Sequence, residues 1–575
     1  MSNTPNYDAK VKAILDATAP GKKMDAVTGQ TWTMSDKDIE MFRRFNVPPL
    51  TVHPETYLKQ MLALHTGFSW WWNKDVATGK PIITNVHPHT EFKVMNDDAW
   101  YQEDFTKDHL EIDLQKPFFE QLYALATTVP ISAQKNFEKP HNSIARHSFG
   151  DEDSYFVEGS ISKRMLFGAG SFHVEDSAEI AYSQNIMQSY NVSHSSNLNT
   201  CIVARECRDC ISSSFIFDCR DCEFCFMSSN KRHRKFLFYD EQLTETEWKE
   251  RMSRIDLSDF DTFHTFESDF FKLMDKEAIW PENFNEQCEN VNGEYLNKCV
   301  NAERAWFSDG AKNIRWAIWD NFTTDDAAMG CDPGSTHCYG NPASVNSSNC
   351  RFCYFATRSQ DCEYCFEVYD CEQCFGCVGL RRKKFCILNK QYTEEEYYEK
   401  LDELKSAMLD RGEYGEIFPQ RFALTPFQHS AFQSVFEGTP EIKEQIGVSD
   451  FDASLNGAYG DWQGREMHEI NEMPKKIDEV GDEWIGKPVI DHSINRPFAI
   501  NGSELAFYRK MRLPLRRGHF VPRIEEMLFS LSMFEQIRVP CGKCGIEVTA
   551  SKNVAYPERK IYCRACYLQF LEQNG

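Results

Sequence analysis

Nine cysteines lie between Cys338 and Cys386, and every spacing among them is a multiple of three residues. Cys338, Cys350, Cys362, Cys374 and Cys386 follow one another at twelve, and Cys353, Cys365 and Cys377 form a second series at the same step. Earlier in the chain Cys207 and Cys219 are twelve apart, as are Cys210 and Cys222. Chance would place nine cysteines in one such register with odds on the order of one in several thousand, so the spacing predicts a repeat architecture. An α-helix does not satisfy it, because twelve residues make three and one third turns and a column would drift around the axis. A narrow parallel β-solenoid does, with about twelve residues per coil and coils about 4.8 Å apart. Cysteine is small, apolar and readily buried, which suits a tight interior. Asn349, Asp361, Asp370, Asp209, Asp218 and Asp221 each precede a cysteine, as expected of a corner that needs a turn residue.

Two duplications organise the chain. Residues 221–248 overlay on 370–397 without a gap at an offset of 149, with twelve of twenty-eight positions identical. At an offset of 466, WTMSDKDIEMFRRFNVP (32–48) overlays on FAINGSELAFYRKMRLP (498–514), and His53 falls on His519. Each copy reads as a helix capped by Ser35 or Asn501 and stopped by a proline. Each cysteine-rich repeat closes with a helix opened by Thr244 or Thr393 and glutamates in the first turn. The expected architecture is mixed and β-rich. Its order is an end module (1–125), a solenoid-like repeat (140–260), a second such repeat (285–410), an irregular linker (411–495) and a C-terminal end module (496–575) resembling a zinc ribbon.

In that last module CGKC (541–544) precedes CRAC (563–566) by the spacing of a four-cysteine zinc site. Cys541, Cys544, Cys563 and Cys566 are therefore the expected Zn²⁺ ligands. In the N-terminal copy the same positions hold Asp75, Thr78, Asp97 and Trp100, which cannot bind a soft metal. Within the repeats, stacked CxxC pairs offer two further quartets, Cys350/Cys353/Cys362/Cys365 and Cys207/Cys210/Cys219/Cys222. Spacing alone leaves open whether these bind zinc, pack as protonated thiols or hold an iron–sulfur cluster.

CFGCVGLRRKKFCILNKQYTEEEYYEKL (374–401), FAINGSELAFYRKMRLPL (498–515), the CGKC and IYCRACY segments, and MFRRFNVPPLTVHPETYLKQML (41–62) together resemble one family. It is the uncharacterised cysteine-rich, zinc-binding proteins of candidate-phyla (Patescibacteria-type) bacteria. Members commonly carry cysteine pairs in the N-terminal module too. Asp25, His53, Asp75 and Asp97 stand at those places here, which implies no zinc there. The family supplies no activity.

No phosphate loop, dinucleotide-binding glycine motif, HExxH or GxSxG occurs. With 63 basic and 87 acidic residues the net charge is −24, which disfavours nucleic acid and anionic membrane. Against that background Lys231, Arg232, Arg234 and Lys235 stand out, as do Arg381, Arg382, Lys383 and Lys384 at corresponding positions. They could grip phosphate, or pair with the acidic helix that follows (Glu245 and Glu247; Glu394, Glu395 and Glu396). No apolar run approaches eighteen residues and the N-terminus lacks a signal pattern, so a reducing cytoplasm is expected. The leading expectation is a zinc-stabilised structural or interaction protein with a protein partner and no catalysis. An RNA- or ribosome-associated factor is the second reading, and a thiol-redox or metal-dependent enzyme the third.

Overall fold

The computed structural model describes residues 3–448 and 464–575. It is mixed α/β and strand-rich, with thirteen α-helices among the described residues, many parallel strand pairs and no closed barrel. No helix among the described residues is long and apolar enough to cross a membrane.

The chain divides into two compact units, each discontinuous in sequence. One comprises Met1–Ala133 and Phe284–Asp452, the other Gln134–Asn283 and Ala453–Gly575. Each end module thus folds with the cysteine-rich repeat farther from it in sequence. The two duplications agree within this arrangement. In the first unit helix Pro54–Leu64 packs against strands Lys312–Ile318 and Asp325–Gly330. In the second, helix Phe520–Phe529 packs against Leu166–Ala169 and Ala178–Ala181, the positions related by 466 and 149. The entry to each helix is fixed in the same way. Asp25 accepts a hydrogen bond from the His53 N–H at 2.9 Å, and Asp491 accepts one from the His519 N–H at 2.8 Å. The expected helices form as Asp36–Arg44, with a Ser35–Asp38 capping box, and Gly502–Met511, capped by Asn501. Thr244 and Thr393 open Glu245–Met252 and Glu394–Asp410, each closing a capping box with the glutamate at the third helical position.

In the second unit, strands pair in parallel at a register of twelve: Leu166 with Ala178, Ala178 with Tyr190, Tyr190 with Ile202, Ile202 with Ser214 and Ser214 with Phe226. A second parallel sheet, Ile161–Lys163 through Ser196–Asn199, runs between these strands in sequence. In the first unit Cys374 pairs with Cys386 and Tyr354 with Phe366 at the same register.

The steps of three have a backbone cause. From Arg164 to Tyr239 every third residue is left-handed, with φ between 42° and 60°, and so is every third residue from Asn346 to Leu388, with φ between 46° and 69°. Each such residue turns the chain and sends the next side chain inward, so twelve residues divide into four triplets with four inward positions. Asn and Asp tolerate this conformation because their short polar side chains can bond locally. The six residues marked as corners from the sequence have φ between 48° and 55°. Aromatic residues also occupy corners, Phe215, Phe224, Phe352 and Tyr364 among them, and this is unexpected from composition. Their rings pack against the helices and loops of their own unit, as Phe215 does on Phe263 and Tyr364 on Phe418.

The described part of residues 411–495 is largely irregular, as expected, with short helices and strands, but it divides between the two units. Residues 449–463 lie outside the described residues, and parts of the rest are buried in the two units. Phe418, Phe422 and Phe432 are buried in the first unit, and Ile477, Val480 and Trp484 in the second. Gly, Pro and acid content suggested a loop, whereas the aromatic residues between them decide burial.

Candidate metal centre

Cys541 follows strand Gln536–Pro540, which pairs antiparallel with Glu547–Ser551. The chain turns between the two strands, where the Gly545 N–H donates to the Cys541 carbonyl at 2.9 Å and Gly545 has φ 77°. Glycine adopts that φ without cost, which lets Cys541 and Cys544 face the same side. Cys563 follows strand Lys560–Tyr562 and caps helix Arg564–Asn574, its sulfur accepting the Cys566 N–H at 3.5 Å. The four sulfurs of Cys541, Cys544, Cys563 and Cys566 lie within 4.8 Å of one another, and the group can hold a metal ion. It is the one group of three or more such ligands so placed among the described residues.

The surroundings favour one thiolate and oppose another, since burial and the thiols of Cys563, Cys544 and Cys541 push Cys566 up to about 12. Burial pushes the Cys541 thiol up, but N–H groups of Cys544, Cys563 and Lys543 directed at its sulfur outweigh this and bring it down to about 6. The N-terminus of the helix adds a positive partial charge beside Cys563 and Cys566.

The N-terminal copy keeps the turn and changes its chemistry. The Gly79 N–H bonds the Asp75 carbonyl at 2.7 Å, the counterpart of Gly545 on Cys541. The Asp75 carboxylate then accepts from the Ala77 N–H, Thr78 Oγ1 and the Asn96 N–H. Asp97 accepts from Ser132 Oγ, and Trp100 Nε1 donates to the Pro130 carbonyl. Hydrogen bonds and a buried indole thus satisfy the groups that surround sulfur in the C-terminal copy.

The quartets Cys350/Cys353/Cys362/Cys365 and Cys207/Cys210/Cys219/Cys222 do not form a group of the kind seen at Cys541. These cysteines are all buried, and each thiol is directed at main-chain carbonyls two residues before and, except for Cys222, nine residues after, at 3.2–3.8 Å. Burial pushes the thiols of Cys207 and Cys353 well up, which keeps them protonated as donors.

Reasoning from the cysteines alone missed the serines in the same columns. Ser171, Ser183, Ser195, Cys207 and Cys219 succeed one another at twelve, as do Ser177, Ser189, Cys201, Ser213 and Cys225. Ser171, Ser183 and Ser195 each donate to the carbonyl two residues before, as the cysteines do. Each also accepts the N–H twelve residues on, as Cys207 accepts that of Cys219. Serine and cysteine are here one hydrogen-bonding part in two sizes. The signal was available, since a serine or cysteine stands at every sixth position from Ser171 to Cys207. Cys207→Ser, whose column neighbour is already serine, is therefore expected to cost under about 1 kcal/mol. Cys362→Ser, between Cys350 and Cys374, is expected to cost about 1–3 kcal/mol in loss of apolar contact. Urea titrations of the two variants check the order.

The basic clusters are engaged within their own units. Lys231 bonds the Asn574 carbonyl, Arg232 pairs with Asp218 at 3.0 Å, Arg234 with the Gly575 oxygen at 2.7 Å, and Lys235 with Glu223 at 2.9 Å. Arg381 stacks over Trp100 and bonds the Glu103 carbonyl, Lys383 pairs with Asp104, and Lys384 with Glu372; Arg382 is exposed. The helix that follows makes no salt bridge to these side chains among the described residues, although Glu394 lies near enough to favour the charged form of Lys384. Glu245 pairs with Lys249, and Glu247 and Glu396 are spent on their caps.

No family model matches this chain. No curated protein matches it either. Among solved structures it is similar to a "putative acetyltransferase" from Desulfovibrio desulfuricans G20, at 9% identity and a TM-score of 0.09, over 42% of this chain and 65% of that one. The chain thus spans just under two thirds of that protein, and a likeness at this score carries no argument about fold or function.

Proposed function

We propose that the chain is a zinc-stabilised, repeat-built structural and interaction protein that acts without catalysis, in a reducing cytoplasm, on a protein partner. The interchange of serine and cysteine within single columns carries this reading, because a position that accepts either is chosen for size and hydrogen bonding rather than for metal or redox chemistry. The parallel register of twelve and the left-handed residue in every triplet support a four-sided β-solenoid in each unit. For the C-terminal cluster, four cysteines in two CxxC turns favour Zn²⁺, as in a structural zinc ribbon. The basic clusters give the nucleic-acid reading little support, since their charge is met by acids and carbonyls close by.

Timed alkylation of the native protein, read by mass spectrometry, tests the proposal. Cysteines of the repeats are expected to react only on unfolding, and the Cys541 cluster only after chelation. A repeat cysteine that reacts rapidly in the native state would point to a thiol enzyme instead. Retention on RNA at about 0.15 M salt is expected to be absent, and salt-sensitive retention would restore the second reading.

A further inference from the structure

A cavity of about 690 Å³ lies wholly within the second unit, bordered by Arg205, Arg516, Arg517, Arg523, Phe271 and Tyr556 among others. Its size is that of a small-molecule site. Its charge is the unusual part. Arg516 is paired with Glu267 at 3.1 Å, and Arg523 with Glu179 at 2.6 Å. Arg205 and Arg517 form no ion pair among the described residues, in a chain whose net charge is −24. Arg205 is only 4% exposed. Its terminal nitrogens bond Asn191 and the Ala204 carbonyl, its face lies over Phe271, and its Nε has no partner. Arg517 bonds the Met473 carbonyl, stacks on Phe260, and likewise leaves Nε without a partner. For Arg205, a guanidinium taken out of water without a paired counter-charge is costly, whereas Arg517 stays partly exposed. Glu267 in the cavity wall and Glu179 offset the Arg205 charge only in part, since burial still holds its guanidinium below the ordinary arginine range, and Asp261 and Asp259 lie near Arg517 without pairing with it. Asp491 is spent on Ser493 and His519, and Glu526 is exposed at the rim.

The duplicated unit shows that the fold does not need this charge. At the positions related by 466 and 149, Arg516, Arg517, Arg523 and Arg205 are replaced by Leu50, Thr51, Tyr57 and Tyr354. Tyr57 and Tyr354 are buried there, donating to the carbonyls of Gly340 at 3.0 Å and Leu64 at 3.4 Å. One copy buries tyrosines at two of these positions, and the other sets four arginines at a cavity, two of them outside any ion pair among the described residues.

We propose that this cavity binds a small organic anion, with a carboxylate or phosphate received by Arg205 and Arg517 and an apolar, planar body against Phe260, Phe271 and Tyr556. Calorimetric titration of the full chain with phenyl phosphate, benzoate, inorganic phosphate and phenol tests it. Phenyl phosphate or benzoate is expected to bind, and the tighter of the two assigns the anionic group. Phenol is expected not to bind, and inorganic phosphate to bind more weakly than phenyl phosphate. Arg205→Tyr, which installs the residue of the duplicated unit, is expected to abolish binding. Arg517→Gln, at a partly exposed position, is expected to weaken it about tenfold or more and decides the matter if the first variant does not fold. No saturation by either aromatic anion below about 10 mM, or binding undiminished in Arg517→Gln, overturns the proposal. Equal affinity for inorganic and phenyl phosphate removes the apolar body from it.

Discussion

Replacing Cys563 and Cys566 together with serine is expected to remove one equivalent of bound metal per chain and to lower the stability of the second unit more than any other pair of substitutions. The four sulfurs within 4.8 Å of one another stand on a two-stranded hairpin and at a helix N-terminus. No residue of helix Arg564–Asn574 is buried, so it is held by polar contacts at its surface, such as Tyr567 with Asp218 and Lys231 with the Asn574 carbonyl, by Cys563, and by what the sulfurs hold. Binding free energy at such a site is folding free energy, of order 10 kcal/mol for structural zinc at neutral pH. Chelation is expected to reproduce the variant's loss in the wild type and to change nothing further in the variant. Elemental analysis beside thermal unfolding checks both. Equal metal content in the two proteins would sink the assignment. The ligands must also be deprotonated to bind, so affinity is expected to fall as pH drops through about 6, where Cys541 regains its proton.

The second large effect is expected at a pair of acids. Asp320 and Asp332 are both fully buried in the first unit, twelve residues apart. The Asp332 N–H donates to Asp320 at 2.6 Å, and Asn341 donates to Asp332 at 2.8 Å. One carboxylate oxygen of each has no partner among the described residues. Burial raises Asp320 to about 7 and Asp332 well above the ordinary carboxylate range, the second also by the nearby Cys338 and Asp320. For an acid raised by folding, the unfolded chain gives up its proton first. The pair's contribution to stability is therefore greatest below about pH 4, falls as pH rises toward 7, and falls further as Asp332 is forced to ionise. Asp320→Asn keeps the acceptor for the Asp332 N–H and removes one charge. It is expected to gain a few kcal/mol at pH 8 and little at pH 4. Denaturant titrations at the two pH values measure it, and a gain independent of pH would show that folding does not raise the Asp320 carboxyl.

The period of the repeats was legible in the sequence because a left-handed corner every third residue leaves only the following side chain inside. A narrow interior then admits a restricted set of residues, and cysteine is its rarest and most visible member. The serines went unread for the opposite reason, since serine is common on surfaces and its hydroxyl does not announce burial. The CxxC pairs at 541–544 and 563–566 were equally plain, because metal ligation fixes both residue type and spacing. The helix caps were too, because a cap is satisfied within three residues of itself.

Interactions at long range were not encoded in any local pattern. That residues 1–133 fold with 284–452, rather than with the adjacent repeat, depends on which apolar faces are complementary, as between helix Pro54–Leu64 and strand Asp325–Gly330. The burial of Asp320 and Asp332 follows from the layers around them, and nothing in their neighbours in sequence marks it. Arg205 lies in a strand of one repeat, and Arg517 more than three hundred residues later. Only the tertiary structure brings these two cations to one cavity, because burial, which makes an unpaired charge costly, is a property of packing and not of sequence position.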